Sequence, residues 1–568
     1  MTEAFKETKA QRIERLKREK NPWERLDEIR EFARKGYDSI PPEWMGTYLR
    51  SWGVYTQGDG AGVTGGTGGE GKSVPYFMVR IRVPNGLLSS QQVRAVASAA
   101  EMYARGVVDI TVRQNFQFHW ITIEALPNLL ELLWKAGLTT TGTCGDVTRN
   151  ITGCPVAGID ADAVLDASPL ARELDRFFLG NGDFYNLPRK FKISLTGCAA
   201  WCSYPEINDV GLTGIRRKRR GAAETGFSLR VGGGLSTQPH LGIRLNAFVQ
   251  QNQVLPVVRT IAEIFRDADV LRQSREQARM KFLFLKHGWN AETFLAEIHK
   301  RVGFTLDPAE EEVLPNDLYR DHVGVHAQKQ PGKFYVGASV LRGRLSATQL
   351  QAVADLSERF AEGEIRTTAM QNLLIANVPE RNTGPLVDEL GAAGLPVEAS
   401  TFWRGAVACT GKEFCKLAIT ETKGFARWVV EELEELVPGF DQQLKLNITG
   451  CPNSCGHHWI ADLGLEGKKI KVDGNLTDAY YFCVGGSVGK VQAIARPVGY
   501  RCLATDVPES IARLLGRYTE LRGKNESLQQ FFARNSNEDI RGFLAGAAST
   551  ESAARDLPSG PVPHGIEG

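Results

Sequence analysis

The sequence predicts an α+β protein, internally duplicated and pseudo-twofold, made of two small α/β units and two larger ones. Three observations carry this. The segment from Phe77, FMVRIRVPNGLLSSQQVRAVASAAEMYARGVVDITVRQNFQ, aligns without a gap with the segment from Phe334, FYVGASVLRGRLSATQLQAVADLSERFAEGEIRTTAMQNLL, at a constant offset of 257. A second pair, ISLTGCAAWCSYPEINDVGLTG from Ile193 and LNITGCPNSCGHHWIADLGLEG from Leu446, repeats at an offset of 253. Third, a full set of four closely paired cysteines occurs only in the second copy.

Along the chain, residues 1–73 form an N-terminal arm. Residues 1–40 read as exposed helices, and residues 56–73, TQGDGAGVTGGTGGEGKS, as a Gly-rich loop. That loop lacks the strand-to-helix context of a dinucleotide fingerprint. Residues 74–140 are the first small unit, read as strand, turn, amphipathic helix, strand and second helix from a switch between period 2 and period 3.6. Residues 141–330 are the first larger unit. Residues 331–397 and 398–545 repeat the pair, and residues 546–568 read as a disordered tail. Two copies of about 250 residues are not a short-period solenoid, and they offer a ligand site between halves.

Composition excludes several classes. A net charge of +2 over 568 residues gives no global bias toward nucleic acid or membrane. No apolar run of bilayer length exists, and the charged start MTEAFKETKAQRIERLKREK has no secretory apolar core. Ten cysteines are too sparse for a disulfide scaffold. A cytoplasmic setting is expected.

The cysteine set is Cys409-Thr-Gly-Lys-Glu-Phe-Cys415, then 35 residues, then Cys451-Pro-Asn-Ser-Cys455. Four thiolates supply one ligand to each iron of a [4Fe-4S] cube. A structural zinc site also takes four, through shorter knuckles. In the first copy Cys198 and Cys202 fall on Cys451 and Cys455, but no C-x5-C pair accompanies them; Cys144-Gly-Asp-Val-Thr-Arg149-Asn-Ile-Thr-Gly-Cys154 stands there instead. Cys198/Cys202 therefore read as an echo of the duplication, and one cluster is expected rather than two.

Cations gather in the first copy. Arg80 and Arg82 share one face of a strand by period 2. Arg113 opens Arg-Gln-Asn-Phe-Gln117, Arg149 closes the Cys144 loop, and Lys190-Phe-Lys192 alternates into an apolar run. Each alone reads as a solvated face; together they point to an anionic substrate or cofactor. The glycines of Val231-Gly-Gly-Gly-Leu and Val484-Gly-Gly-Ser are either simple turns or places where backbone N–H groups approach a cofactor anion.

On Phe77–Arg82 with Pro84-Asn85-Gly86, Arg113–Gln117, Cys144–Asn150, Leu187–Lys192, Cys409–Cys415 and Thr449–Cys455, the chain resembles the sirohaem- and [4Fe-4S]-dependent assimilatory nitrite and sulfite reductases of the ferredoxin-dependent type, from about Trp44 to Leu544. The resemblance implies that the small units are ferredoxin-like and the larger ones bind sirohaem and the iron–sulfur cluster. It implies that Cys409, Cys415, Cys451 and Cys455 hold one [4Fe-4S] cluster, with Cys455 bridging to the sirohaem iron. Arg80, Arg149, Lys190 and Lys192 would surround the substrate, Arg113 and Gln117 would hold sirohaem carboxylates, and Asn453 lies in the cluster loop. Tyr55 and Cys144 match positions that form a thioether beside the sirohaem in some sulfite-reducing members; a free thiol and a buried tyrosine are the alternative.

The implied activity is six-electron reduction of sulfite to sulfide, with nitrite to ammonia on the same machinery as the alternative. Lys192 favours sulfite, because nitrite reductases tend to carry Asn there; the Cys409–Cys415 segment looks nitrite-type. No flavin or NADPH domain is visible, so the expected donor is reduced ferredoxin, docking near Lys412, Lys416 and Lys423, or else a separate flavoprotein. A monomer is expected. The rival readings are a non-catalytic iron–sulfur electron carrier, which would not need the cationic set, and a zinc-ribbon binding module, which would not need two large halves.

Overall fold

The structure, a computed structural model, describes residues 7–60, 74–198, 200–219, 221–312, 320–489 and 492–546. Most of the Gly-rich loop and all but the first residue of the expected tail lie outside the described residues.

Among the described residues, twenty strands form four five-stranded sheets. The first half contributes β1 (Val54–Thr56), β2 (Phe77–Ile81), β3 (Leu87–Ser89), β4 (Val107–Ile110) and β5 (Phe116–Ile121), then β6 (Thr152–Gly153), β7 (Ile193–Thr196), β8 (Val210–Arg219), β9 (Ala222–Val231) and β10 (Ile243–Gln250). The second half repeats them as β11 (Gly324–Ala327), β12 (Lys333–Ala338), β13 (Arg344–Ser346), β14 (Glu364–Thr367) and β15 (Leu373–Pro379), then β16 (Ala406–Ala408), β17 (Leu446–Thr449), β18 (Leu463–Val472), β19 (Asn475–Val484) and β20 (Arg496–Leu503). The single strand expected between the two helices of each small unit is a pair, β4–β5 and β14–β15, joined through Gln114 and Gln371, which both adopt φ 63°.

The two small units exchange strands. The first sheet runs β1-β2-β5-β4-β13 and the second β11-β12-β15-β14-β3, so each takes its last strand from the other half. The repeated Leu-Ser dipeptide explains how. Leu88 and Leu345 are buried in the swapped strands, while Ser89 and Ser346 end those strands and cap the helices Ser90–Tyr103 and Ala347–Phe360. Each serine accepts from the backbone of Gln92 or Gln349, and that glutamine side chain answers the serine N–H, a capping box at both starts. The helices pack together, and both small units share one apolar core.

Each larger unit has its own core. In both, the first three strands are parallel: β6–β7–β8 and β16–β17–β18. Loops leaving the carboxyl ends of parallel strands are the usual place for ligand groups, and the cysteine loops leave from there.

The arm is not a set of exposed helices. Helix Lys9–Glu19 buries Leu16, Lys17 and Glu14, and helix Leu26–Lys35 buries Ile29 and Phe32 in the shared core. Its polar residues hid this, because the buried Lys17 and Glu14 pair with each other and with the first larger unit. The arm also supplies β1.

Candidate active site

Cys409 follows β16 directly, and its N–H donates to Ile448 O of the neighbouring strand at 3.1 Å. Gly411 turns the chain at φ 69°; a Cβ there would meet Thr422 Oγ1 at 2.3 Å. The turn closes with Cys415 N–H donating to Gly411 O at 2.9 Å. Gly450 N–H donates to Cys409 Sγ at 3.3 Å, bringing the Cys451 loop against the first pair. Burial pushes the Cys415 thiol up to about 12, with Cys455 adding to it, and raises Cys409 and Cys451 for the same reasons. Three thiols whose ionisation burial opposes suit a cationic cluster that takes them as thiolates.

A cavity of about 160 Å³ opens between the halves. Cys409, Thr410, Asn453, Ser454, Cys455 and His457 line it from the second half, and Arg80, Arg113, Gln117, Arg149, Lys190 and Lys192 from the first. Cys455 is the exposed member of the cysteine set. Seven Arg and Lys side chains line the cavity against one carboxylate, Asp109, which Arg344 and Lys423 already offset.

Arg80, Arg113 and Arg149 are held by neutral groups. Arg80 donates to Gln117 Oε1 at 2.7 Å and to Cys144 Sγ at 3.2 Å. Arg113 donates to Asn208 Oδ1 and Asn150 O; burial and Arg149 push it down to about 9. Arg149 donates to Gly145 O at 2.7 Å and Thr143 O at 3.0 Å. Burial, with Arg279 and Arg189, pushes Lys190 down to about 7, and burial with Lys190 and Arg113 lowers Lys192 as well. Five of these cations, Arg80, Arg113, Arg149, Lys190 and Lys192, have no carboxylate ion pair among the described residues, which fits a polyanionic group such as sirohaem together with an anionic substrate.

Several site residues carried no local signal. Arg279 grips Asp209 at 2.9 Å, and Asp209 also accepts the Lys192 N–H at 2.8 Å, fixing the strand that bears the lysines. His119 stacks on Phe414 at 3.8 Å and sits 3.1 Å from Asp109, and Gln117 donates to Thr410 Oγ1 at 3.0 Å, so β5 braces the cluster loop. Burial works against ionisation of Asp109, and Lys423 and Arg344 outweigh it, holding the carboxyl well below its usual range. These partners are far apart in sequence. His457 did carry a signal, two residues past Cys455 in the cluster loop.

Two expectations change. Lys423 is buried, donates to Arg342 O and lies 3.8 Å from Asp109, so it is no docking residue. The Gly-rich turns do not offer free N–H groups: Gly232 and Gly233 donate to Asp209 O and Asn208 O, and Gly485 and Gly486 to Asp462 O and Ala461 O. Tyr55 lines a cleft with Arg50, Gly145 and Arg189, and Cys144 is buried against Arg80.

The pseudo-equivalent place in the other half is closed. The 257 offset sets Gly337, Met370 and Leu374 opposite Arg80, Arg113 and Gln117, and Met370 and Leu374 are buried in apolar clusters. Among the described residues no helix is long and apolar enough to cross a membrane.

Comparison with known proteins agrees with this geometry. The nitrite and sulphite reductase 4Fe-4S domain matches residues 144–306 and 400–541, and the nitrite/sulfite reductase ferredoxin-like half domain matches 70–136 and 326–393. The chain is 36% identical to the assimilatory ferredoxin-dependent nitrite reductase of Haloferax mediterranei, covering 89% of this chain and 88% of the relative. It is 35% identical to a sulfite reductase [ferredoxin] of Mycobacterium tuberculosis, covering 93% and 95%. The solved structure of Mycobacterium tuberculosis NirA superposes with a TM-score of 0.88 at 34% identity, over 93% of this chain and 97% of that one. The duplicated fold, the four-cysteine loop and the cationic cavity are those of an oxidoreductase with one sirohaem and a [4Fe-4S] cluster, and the chain belongs to the nitrite and sulfite reductase family.

Proposed function

We propose that this protein reduces sulfite to sulfide in six one-electron steps, taking electrons from reduced ferredoxin in the cytoplasm. The observation that carries the choice of substrate is Lys192 beside Lys190 on the cavity wall, with neither ammonium paired to a carboxylate among the described residues. A second buried ammonium favours a dianion over a monoanion. When bound, the sirohaem and the cluster supply a short electron path and an iron at which the substrate anion binds. Cys409, Cys415, Cys451 and Cys455 would hold the cluster, with Cys455 on the cavity side where the sirohaem would lie. Arg113 and Gln117 would orient the sirohaem carboxylates. Arg80, Arg149, Lys190 and Lys192 would neutralise the substrate. The two lysines, whose burial weakens their hold on a proton, would deliver protons as oxygen leaves as water.

Nitrite reduction to ammonia is the second reading, favoured by relatives of both names at nearly equal identity. A ferredoxin would dock where Leu417, 53% exposed beside Cys415, is flanked by Lys412 and Lys416. Steady-state kcat/KM for sulfite and for nitrite, measured with one donor, separates the readings. In Lys192→Asn the sulfite value should fall on the order of tenfold or more while the nitrite value changes less. An unchanged ratio, or a wild type that prefers nitrite, overturns the assignment.

A further inference from the structure

The first half keeps three of the four cysteine positions of the cluster. Gly153 pairs with Leu195 as Ala408 pairs with Ile448, and the 253 offset equates Leu195 with Ile448. Cys154 thus occupies the place of Cys409, as Cys198 and Cys202 occupy those of Cys451 and Cys455. The C-x5-C spacing survives as Cys154-Pro-Val-Ala-Gly-Ile-Asp160, with an aspartate where Cys415 would stand. Asp160 is not free to replace that thiol, because Arg320 holds it at 2.9 Å.

Two of the three sulfurs, those of Cys154 and Cys202, are in direct contact, and Cys198 interacts with both. Cys202 Sγ lies 3.5 Å from Cys154 Sγ, and the ligand atoms of Cys154, Cys202 and His322 all fall within 4.8 Å of one another. Among the described residues no three metal-binding groups of the second-half cysteine loops are that close. A cube binds its cysteines through four different iron atoms and so spreads them. A tetrahedral ion with bonds of about 2.3 Å to sulfur sets its ligand sulfurs about 3.8 Å apart.

His322 supplies an independent indication. It is 4% exposed, and among the described residues neither ring nitrogen has a hydrogen-bond partner. A buried imidazole with both nitrogens unmatched is costly. Cys154, Cys198 and Cys202 are buried as well, in an apolar cluster. Arg320 Nη1 lies 3.9 Å from Cys198 Sγ, placed to offset the negative charge that three thiolates leave around a divalent ion.

We propose that Cys154, Cys198, Cys202 and His322 bind one zinc-class divalent cation in a closed tetrahedral site. Binding releases three thiol protons to solvent and transfers no electrons, so the ion is structural. It joins the loops after β6 and β7 to the segment that enters β11, and so ties the first larger unit to the start of the second half. The duplication has thus kept the thiol positions and changed their cargo from a cube to a single ion. The proposal does not depend on the substrate or on the sirohaem, and it survives if either assignment fails.

Elemental analysis and zinc-edge X-ray absorption on the tag-free holoenzyme test it. About one zinc per chain should resist dialysis against EDTA, alongside about five irons, one from the tetrapyrrole and four from the cube. The zinc shell should contain three sulfurs at about 2.3 Å and one nitrogen at about 2.0 Å. Cys202→Ser and His322→Ala should each lower zinc at least several-fold while leaving the iron count and the visible spectrum of the cofactors in place. The wild-type shell decides the matter even if a variant fails to fold. Zinc below about a tenth per chain with three alkylatable thiols, a Cys154–Cys202 disulfide in native protein, or about four irons more than expected from a second cluster would each overturn the site.

Discussion

Glu206 sits at the junction of the halves, fully buried, with Oε1 accepting the Gly489 N–H at 3.3 Å and Oε2 without a partner. Burial pushes its carboxyl up to about 7, only partly opposed by Arg230, against about 4.3 in an unfolded chain. A raised carboxyl means the folded state holds the proton longer. The resulting penalty is absent below about pH 4, grows as pH rises, and is complete above pH 7 at roughly 4 kcal/mol. Glu206→Gln keeps an acceptor for Gly489 and removes the charge. Its melting temperature should draw ahead of the wild type's between pH 5 and pH 8; a gap that does not change with pH would refute the argument. At this scale the sequence exposes only what local spacing can carry. The alternation Lys190-Phe-Lys192 points to one face because strands have period 2, and Cys409–Cys455 point to one site because loops are short. Glu206, Asp209 with Arg279, and Asp109 with Arg344 stay hidden, because each partnership is made across 70 or more residues. Lys423 reads as a surface lysine for the same reason.

At the scale of elements, the N-terminal helix Lys9–Glu19 acts as a clasp on the substrate loop. Lys17 lies 2.5 Å from Glu14 and 3.4 Å from Asp146, while Arg275 and Arg189 reach Asp146 at 2.7 and 3.1 Å and Arg272 reaches Glu14 at 2.5 Å. Four cations surround two carboxylates in a nearly dry setting. Asp146 lies between Cys144 and Arg149, so the cluster also fixes the loop that carries Arg149. Removing a carboxylate strands cations, whereas removing a cation leaves each carboxylate still paired. Asp146→Asn should therefore cost about 3–5 kcal/mol and Lys17→Met distinctly less, read as melting temperature and as protease sensitivity of the arm. Equal losses would show that packing rather than charge holds the clasp. The helix itself was legible, since Thr8 and Gln11 form its capping box; its burial was not, because a buried ion cluster reads in sequence as a charged surface.

For the molecule as a whole, the duplication was legible to the residue, as the ungapped offset of 257 required, but the exchange of β3 and β13 was not. Alignment of two copies gives their likeness and says nothing about which copy a strand pairs with. The exchange is reinforced across the axis: Gln114 Nε2 donates to Thr367 O at 3.0 Å, Gln371 Nε2 donates to Ile110 O at 2.8 Å, and Arg344 on β13 grips Asp109 on β4. Each small sheet without its partner's strand would expose an unpaired edge, and the helices Ser90–Tyr103 and Ala347–Phe360 would expose their shared apolar face. Neither half should therefore fold alone, although each contains a complete copy of the sequence plan. Residues 1–320 and 321–568 expressed separately should aggregate or stay unfolded by circular dichroism, and co-expressed they should assemble into one soluble complex. A soluble half with cooperative thermal unfolding would mean that the exchanged strands are dispensable, and that the cavity between the halves forms by docking of two finished bodies rather than by their folding together.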